Sequence, residues 1–203
     1  MNRNPSFECY FYKATAGIQG PYELRDNCLH IKLGECFGNI LEKTIRALEF
    51  FEPRFSEFDY IARPNLSSFF LFDRYLKYLE GLPRENMMEG VFVHSYGYTY
   101  PSGCGFTFSP DVARMILRGR QPQYHMDDVT IGKICYENKV PILLRRFLHV
   151  HPQTYEKVLE EVEKDLTLFH LRVNTANDRM GDTVSYKKLV DHYYGPDEKE
   201  SSD

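Results

Sequence analysis

Two stretches of this chain carry side chains whose types and spacing could do chemistry. Ser102-Gly103-Cys104-Gly105 flanks a cysteine with glycines at the head of an apolar run, and Met126-Asp127-Asp128-Val129 sets two carboxylates at the start of a helical pattern. Glycine lets backbone approach a ligand where a Cβ would clash. Adjacent aspartates at a helix start can hold a metal, a sugar hydroxyl or a proton in transit. Together they suit a sugar-transfer site; the plainer alternative is that both aspartates only favour the positive end of the helix.

Further candidates are weaker. Phe58-Asp59-Tyr60-Ile61-Ala62 reads as a buried strand running into Arg63-Pro64-Asn65-Leu66-Ser67-Ser68. Polar residues at the carboxyl end of a strand lie where ligands collect in open α/β sheets, which singles out Arg63, Asn65 and Ser67. Helix capping explains the serines equally well. His149-Val150-His151 puts two imidazoles on one face of a strand, as a metal-ligand pair requires. Cys104 with a histidine such as His151 would make a cysteine hydrolase.

The elements that must position these groups follow from periodicity. Strands are expected at Phe7–Tyr12, Cys28–Leu33, Phe58–Ala62, Val91–Val93, Cys104–Phe108 and Pro141–Val150. Helical spacing covers Asn39–Phe51, Phe69–Leu79, Pro110 to about Leu117, Asp128–Glu137 and Gln153–Asp165. Ser109-Pro110-Asp111 is a good N-cap with proline in the first turn. Strands alternating with helices predict one α/β domain over 1–195, a central mixed, mostly parallel sheet flanked by helices on both faces, with a disordered acidic tail over 196–203.

Composition bounds the function. The 203 residues carry a net charge of −4, which argues against nucleic acid as a partner. They are 42% hydrophobic and include fifteen Tyr and fifteen Phe but no Trp, so tyrosine would have to line any carbohydrate site. Cys9, Cys28, Cys36, Cys104 and Cys135 form no CxxC pair, which fits reduced thiols and argues against zinc. No apolar run approaches the roughly 20 residues of a membrane span, and Met1–Pro5 lacks a signal-peptide core. A cytoplasmic protein with no membrane anchor is expected, and the chain could be part of a longer polypeptide.

The order Asn39-Ile40-Leu41-Glu42-Lys43-Thr44, Arg63-Pro64-Asn65-Leu66-Ser67-Ser68, Ser102-Gly103-Cys104-Gly105 and Asp127-Asp128-Val129 with Gly132 resembles the GT-A-fold nucleotide-sugar glycosyltransferases. Within them it is similar to the galactosyltransferase and fringe group, in the short form encoded by large DNA viruses, the chlorella viruses among them, whose domains act on capsid glycans. The likeness runs from about residue 7 to 194 and rests on the order of short motifs.

The resemblance implies a single GT-A-like domain. It implies a UDP-sugar donor, a glycan or glycoprotein acceptor, a metal-assisted, inverting transfer with Mn²⁺ or Mg²⁺, and, for a viral chain, work in the host cytoplasm. Asp128, with Asp127, takes the place of the acceptor's base. Asn65 and Ser67 stand where the family's Asp-x-Asp grips the metal, and Arg63 beside them could meet the diphosphate. Phe169-His170-Leu171-Arg172 matches the late histidine segment, giving His170 to the metal, with Asn65, and Arg172 and Arg179 to the diphosphate. Tyr12, Lys13, Glu35 and Lys43 fall to the nucleotide, and Gly103, Cys104 and Gly105 line the donor site. Because Asn65 and Ser67 replace carboxylates, a catalytically silent member that binds nucleotide-sugar or glycan is the alternative.

Overall fold

The computed structural model describes residues 7–119, 126–174 and 179–195. The class is α/β, but the strands divide among three mixed sheets instead of one mostly parallel sheet. The chain forms two compact units, Met1–Arg63 with Pro83–Arg145, and Pro64–Leu82 with Arg146–Asp203. The expected tail, 196–203, lies outside the described residues. Among the described residues no helix is long and apolar enough to cross a membrane.

In the first unit, β1 (Phe11–Ala14), β2 (Tyr22–Arg25) and β3 (Cys28–Ile31) make a small sheet in the order β1-β3-β2. Asp26 and Asn27 both take positive φ (45° and 61°), the geometry of a tight hairpin turn, and so join β2 to β3. Leu29 and Ile31 are buried with Ala47 of α1 (Ile40–Phe51). The other face of α1 sends Ile45 and Leu48 into the main core with Phe106, Phe108, Ile116 and Ile131.

The second sheet of this unit has the order β4-β7-β6-β8, from β4 (Ile61–Pro64), β7 (Tyr98–Phe108), β6 (Met88–Ser95) and β8 (Ile142–Leu144). β6 and β7 form a long hairpin turned by Tyr96 and Gly97, again at positive φ. Its ladder slips between Gly90 and Phe92: Gly90 pairs with Phe106 but Phe92 with Pro101, so Val91 alone stands opposite Ser102 to Gly105. This is a large bulge, and bulges re-aim strands and side chains. Gly90 is required there, since a Cβ would meet the Cβ of Pro101 at 2.9 Å.

Two helices complete the unit, α3 (Pro110–Arg118) and α4 (Asp127–Glu137). α4 lies directly on β7: a Cβ on Gly132 would sit 2.1 Å from the Cβ of Tyr100. The expected strand over Pro141–Val150 is broken at Arg145, with β8 in the first unit and β9 (Leu148–Val150) in the second.

The second unit holds β5 (Ser68–Phe70), β10 (His170–Val173) and β9 in the order β5-β10-β9. β5 occupies the start of what periodicity reads as one helix, so α2 is only Phe72–Leu79. α5 (Tyr155–Lys164) buries Val158, Leu159 and Val162, and α6 (Arg179–Tyr194) brings Tyr186, Tyr193 and Tyr194 around Phe69.

Candidate active site

The glycine bulge and the head of α4 meet. Gly103 N–H donates to Asp128 Oδ2 at 2.8 Å, and Val129 N–H donates to Asp128 Oδ1 at 2.8 Å. Gly103 must lack a side chain for this, since a Cβ would stand 2.9 Å from that same Oδ2. Asp128 is half-buried, and burial pushes its pKa up; the negative charge of Asp127 adds to the rise, against the two amides and Arg63. A carboxylate so placed holds a proton more readily than an exposed one and is suited to general acid or base work.

Asp127 has a different environment. It is only 3% exposed and lies 2.5 Å from Arg63 Nη2. Thr44 of α1 also donates to Asp127 Oδ2, at 2.7 Å. Arg63 Nε donates to the Tyr12 hydroxyl at 3.3 Å, and Tyr12 lies 3.1 Å from Thr44 Oγ1. Because the Thr44 proton goes to Asp127, Tyr12 donates to Thr44, and the bonds close into a ring whose members polarise one another. Burial on its own would lower the pKa of Arg63; Asp127 and Tyr12 outweigh it and raise the value.

Arg63 also donates from Nη1 to Gly103 O at 2.8 Å and sits over the Phe106 ring, 5.6 Å from its centroid. The Gly103 residue therefore serves both aspartates, by its N–H directly to Asp128 and by its carbonyl through Arg63 to Asp127. Arg63, which the sequence reading gives to the diphosphate, has its charge balanced by a buried carboxylate in this structure. Asp127 is likewise held by Arg63 and Thr44, whereas Asp128 is held by backbone amides.

Gly105 is held by a second arginine that the sequence reading missed. Arg145 donates to Gly105 O and, at 2.7 Å, to Glu89 Oε1, both side chains being buried. Burial raises the pKa of Glu89, with Arg145 and Thr107 pulling the other way. The available signal was a charge inside an apolar run, at Met87-Met88-Glu89-Gly90-Val91 and again at Ile142-Leu143-Leu144-Arg145. Between the two held carbonyls, Cys104 is 1% exposed. A thiol packed there is closed to a substrate in this conformation, which weighs against the cysteine-hydrolase alternative, and any donor contact at this position would be through backbone.

The nucleotide candidates fall near one another in the first unit. Lys43 pairs with Glu35, whose other oxygen accepts Ala14 N–H at 3.1 Å. Lys43 holds the Glu35 carboxyl below the usual range. Lys13 is exposed on β1 opposite His30.

The second unit gathers Asn65, Ser67 and His170 around Ser68. Asn65 Oδ1 accepts from Ser67 N, Ser67 Oγ and Ser68 Oγ at 3.2, 3.1 and 2.9 Å. His170 Nε2 lies 3.0 Å from Ser68 Oγ, and its ring stacks on Phe70 at 4.6 Å and 6°. The amide oxygen is closing its own turn, and the imidazole is buried between aromatic rings, Phe147 being the other. These two neutral donors do not fit a hard divalent cation, which takes several oxygen ligands with carboxylates among them. Among the described residues no three His, Cys, Asp or Glu side chains gather around a common point either.

His149 and His151 do share a face, but their rings stack at 10° and 5.9 Å. Lone pairs lie in the ring planes, so parallel rings do not converge on one ion. Burial, then Arg172 and His151, lower the pKa of His149. Arg172 pairs in register with Ser68 and His149. Arg179 opens α6 and its side chain lies outside the described residues. Neither protein-family models nor curated protein sequences give a match to this chain.

Proposed function

We propose that the chain is a glycosyltransferase that moves a sugar from a UDP-sugar to a glycan or glycoprotein acceptor, with Asp128 as the base. The observation that carries this reading is the half-buried Asp128, its pKa raised, fixed by the Gly103 amide of a bulged strand and set beside the closed Arg63–Asp127 pair. The resemblance to the galactosyltransferase and fringe group of GT-A enzymes supplies the donor and the reaction. Arg172, Arg179, Glu35, Lys43, Tyr12 and Lys13 keep their donor roles on that resemblance alone, as does work in the cytoplasm, that of the host if the chain is viral.

In the reaction, Asp128 takes the proton of the acceptor hydroxyl as its oxygen attacks the anomeric carbon. The bond from that carbon to the diphosphate breaks, UDP leaves with the electron pair, and the configuration inverts. The ring of Arg63, Tyr12, Thr44 and Asp127 fixes the helix start and the Gly103 peptide, so Asp128 is preorganised for the proton.

The test is UDP release from a panel of UDP-sugars, with and without a mixture of oligosaccharide acceptors. Acceptor-stimulated release with at least one donor is the expected result. A second reading, a silent member that binds donor or glycan, is favoured by Asn65, which stands in place of a carboxylate and closes its own turn. Calorimetric donor binding with no release under any acceptor would select it.

A further inference from the structure

A cavity of about 370 Å³ opens in the first unit, lined among others by Phe92, His94, Tyr98, Thr99, Tyr136 and Ile142. Its volume falls in the range of roughly 300–1,000 Å³ common for small-molecule sites. Phe92 and Tyr136 are 40% and 59% exposed. Large aromatic rings left open to water in this way mark binding surfaces when they cluster. Tyr136 is not a loose side chain: its ring stacks on buried Tyr98, with centroids 5.7 Å apart and planes at 28°. Tyr98 is itself anchored through its hydroxyl to Val129 O at 3.1 Å.

The chemistry of the lining selects a ligand. Among the described residues no Lys, Arg, Asp or Glu lines the cavity, so a charged ligand finds no partner of opposite sign there. Aromatic faces alternate with the hydrogen-bonded pair of His94 Nδ1 and Thr99 Oγ1, 3.1 Å apart. A neutral molecule with flat C–H faces and hydroxyls at its rim matches both features, and that is a pyranose ring.

Position relates the cavity to Asp128. Both Asp128 and Tyr136 belong to α4, eight residues apart, which is about 12 Å along the axis. The helix lies against the same β7 strand at both ends, with Asp128 on Gly103 and Tyr136 on Tyr98. We propose that this cavity is a remote acceptor subsite that holds a sugar ring of an oligosaccharide whose end reaches Asp128. Its link to the acceptor rests on the glycosyl-transfer reading above; its ability to bind a glycan does not.

The experiment uses the full chain and Tyr136→Ala, an exposed position whose loss leaves the core intact. Saturation-transfer NMR with maltotriose, cellotriose and triacetylchitotriose, and with glucose as a single ring, reads binding. UDP release from UDP-glucose and UDP-galactose without acceptor reads the donor site. Binding of at least one trisaccharide more tightly than glucose, weakened about fivefold to tenfold in Tyr136→Ala while any donor turnover is unchanged, is the expected result. No trisaccharide binding, or binding indifferent to Tyr136→Ala, overturns the subsite whatever the donor does. Trisaccharide binding that depends on Tyr136 in a protein without donor turnover keeps the glycan cavity and removes the transfer reading instead.

Discussion

The Asp127 carboxylate of the first unit and the His170 imidazole of the second are both held by a hydroxyl, yet they are built on opposite electrostatic plans. Around Asp127 the protein buries a charge and answers it with another, Arg63, at 2.5 Å. Around His170 it buries a ring among rings and answers it with Ser68. The first plan leaves a second carboxylate, Asp128, half-buried with a raised pKa; the second leaves a buried ring held by a hydroxyl and by aromatic faces. The proposed base belongs to the first plan, where one acid is satisfied by an arginine and its neighbour is not.

The largest effect should come from opening the charged pair. Asp127→Ala leaves Arg63 buried without its partner, which costs about 3–5 kcal/mol, read by urea unfolding. The double variant with Arg63→Ala should lose less than the sum of the singles, because the second change removes the stranded charge. Additive losses would show that the pair does not act as a unit.

Asp128→Asn should retain the fold by circular dichroism and lower acceptor-stimulated turnover by about 100-fold or more. Retention of most of the activity would place the base elsewhere. The pH profile sharpens the same point. Because the folded-state pKa of Asp128 is raised, turnover should climb with pH on a limb above the ordinary aspartate range. Its stability contribution has the opposite sense: it is complete below the unfolded-state pKa and is lost as pH rises through the folded value. Asp128→Asn should therefore flatten both profiles in that window.

Gly103→Ala is subtler. Its Cβ would press on Asp128 Oδ2 at 2.9 Å, displacing the carboxylate while leaving the core untouched. Turnover should fall about tenfold, in line with the sensitivity of such groups to small misplacement, with the unfolding midpoint nearly unchanged. The smallest effect is expected from Ser68→Ala, about 1 kcal/mol of stability for the lost hydroxyl bonds and little change in turnover. A large loss of turnover there would contradict the contrast between the two regions.

Much of this was legible in the sequence where local signals are strong. α1, α3 and α4 match the expected helices within about a residue, because Pro110, the paired aspartates and the helical apolar spacing mark them. The hairpin of β6 and β7 was seen only as fragments, since Gly90, Gly97 and the bulge interrupt the alternation that marks a strand. The aspartates and glycines stand out by their types, and the fold brings Gly103 and Asp128 together. The role of Arg63 was not, because its partner Asp127 is distant in sequence and only the fold unites them. Asn65 and Ser67 match the metal-gripping carboxylates of the resemblance by order alone, and the turn that Asn65 closes is visible only in the structure.

The slip in the hairpin separates two frames of reference. Up to Gly90 and Phe106 the strands keep step with the core; beyond Phe92 and Pro101 they keep step with each other and with α4. Residue pairs inserted at the Tyr96–Gly97 tip would lengthen the arm without transmitting a shift past the bulge. The outer hairpin is thus the place where relatives or engineers can vary reach while the Asp128 carboxylate stays in place.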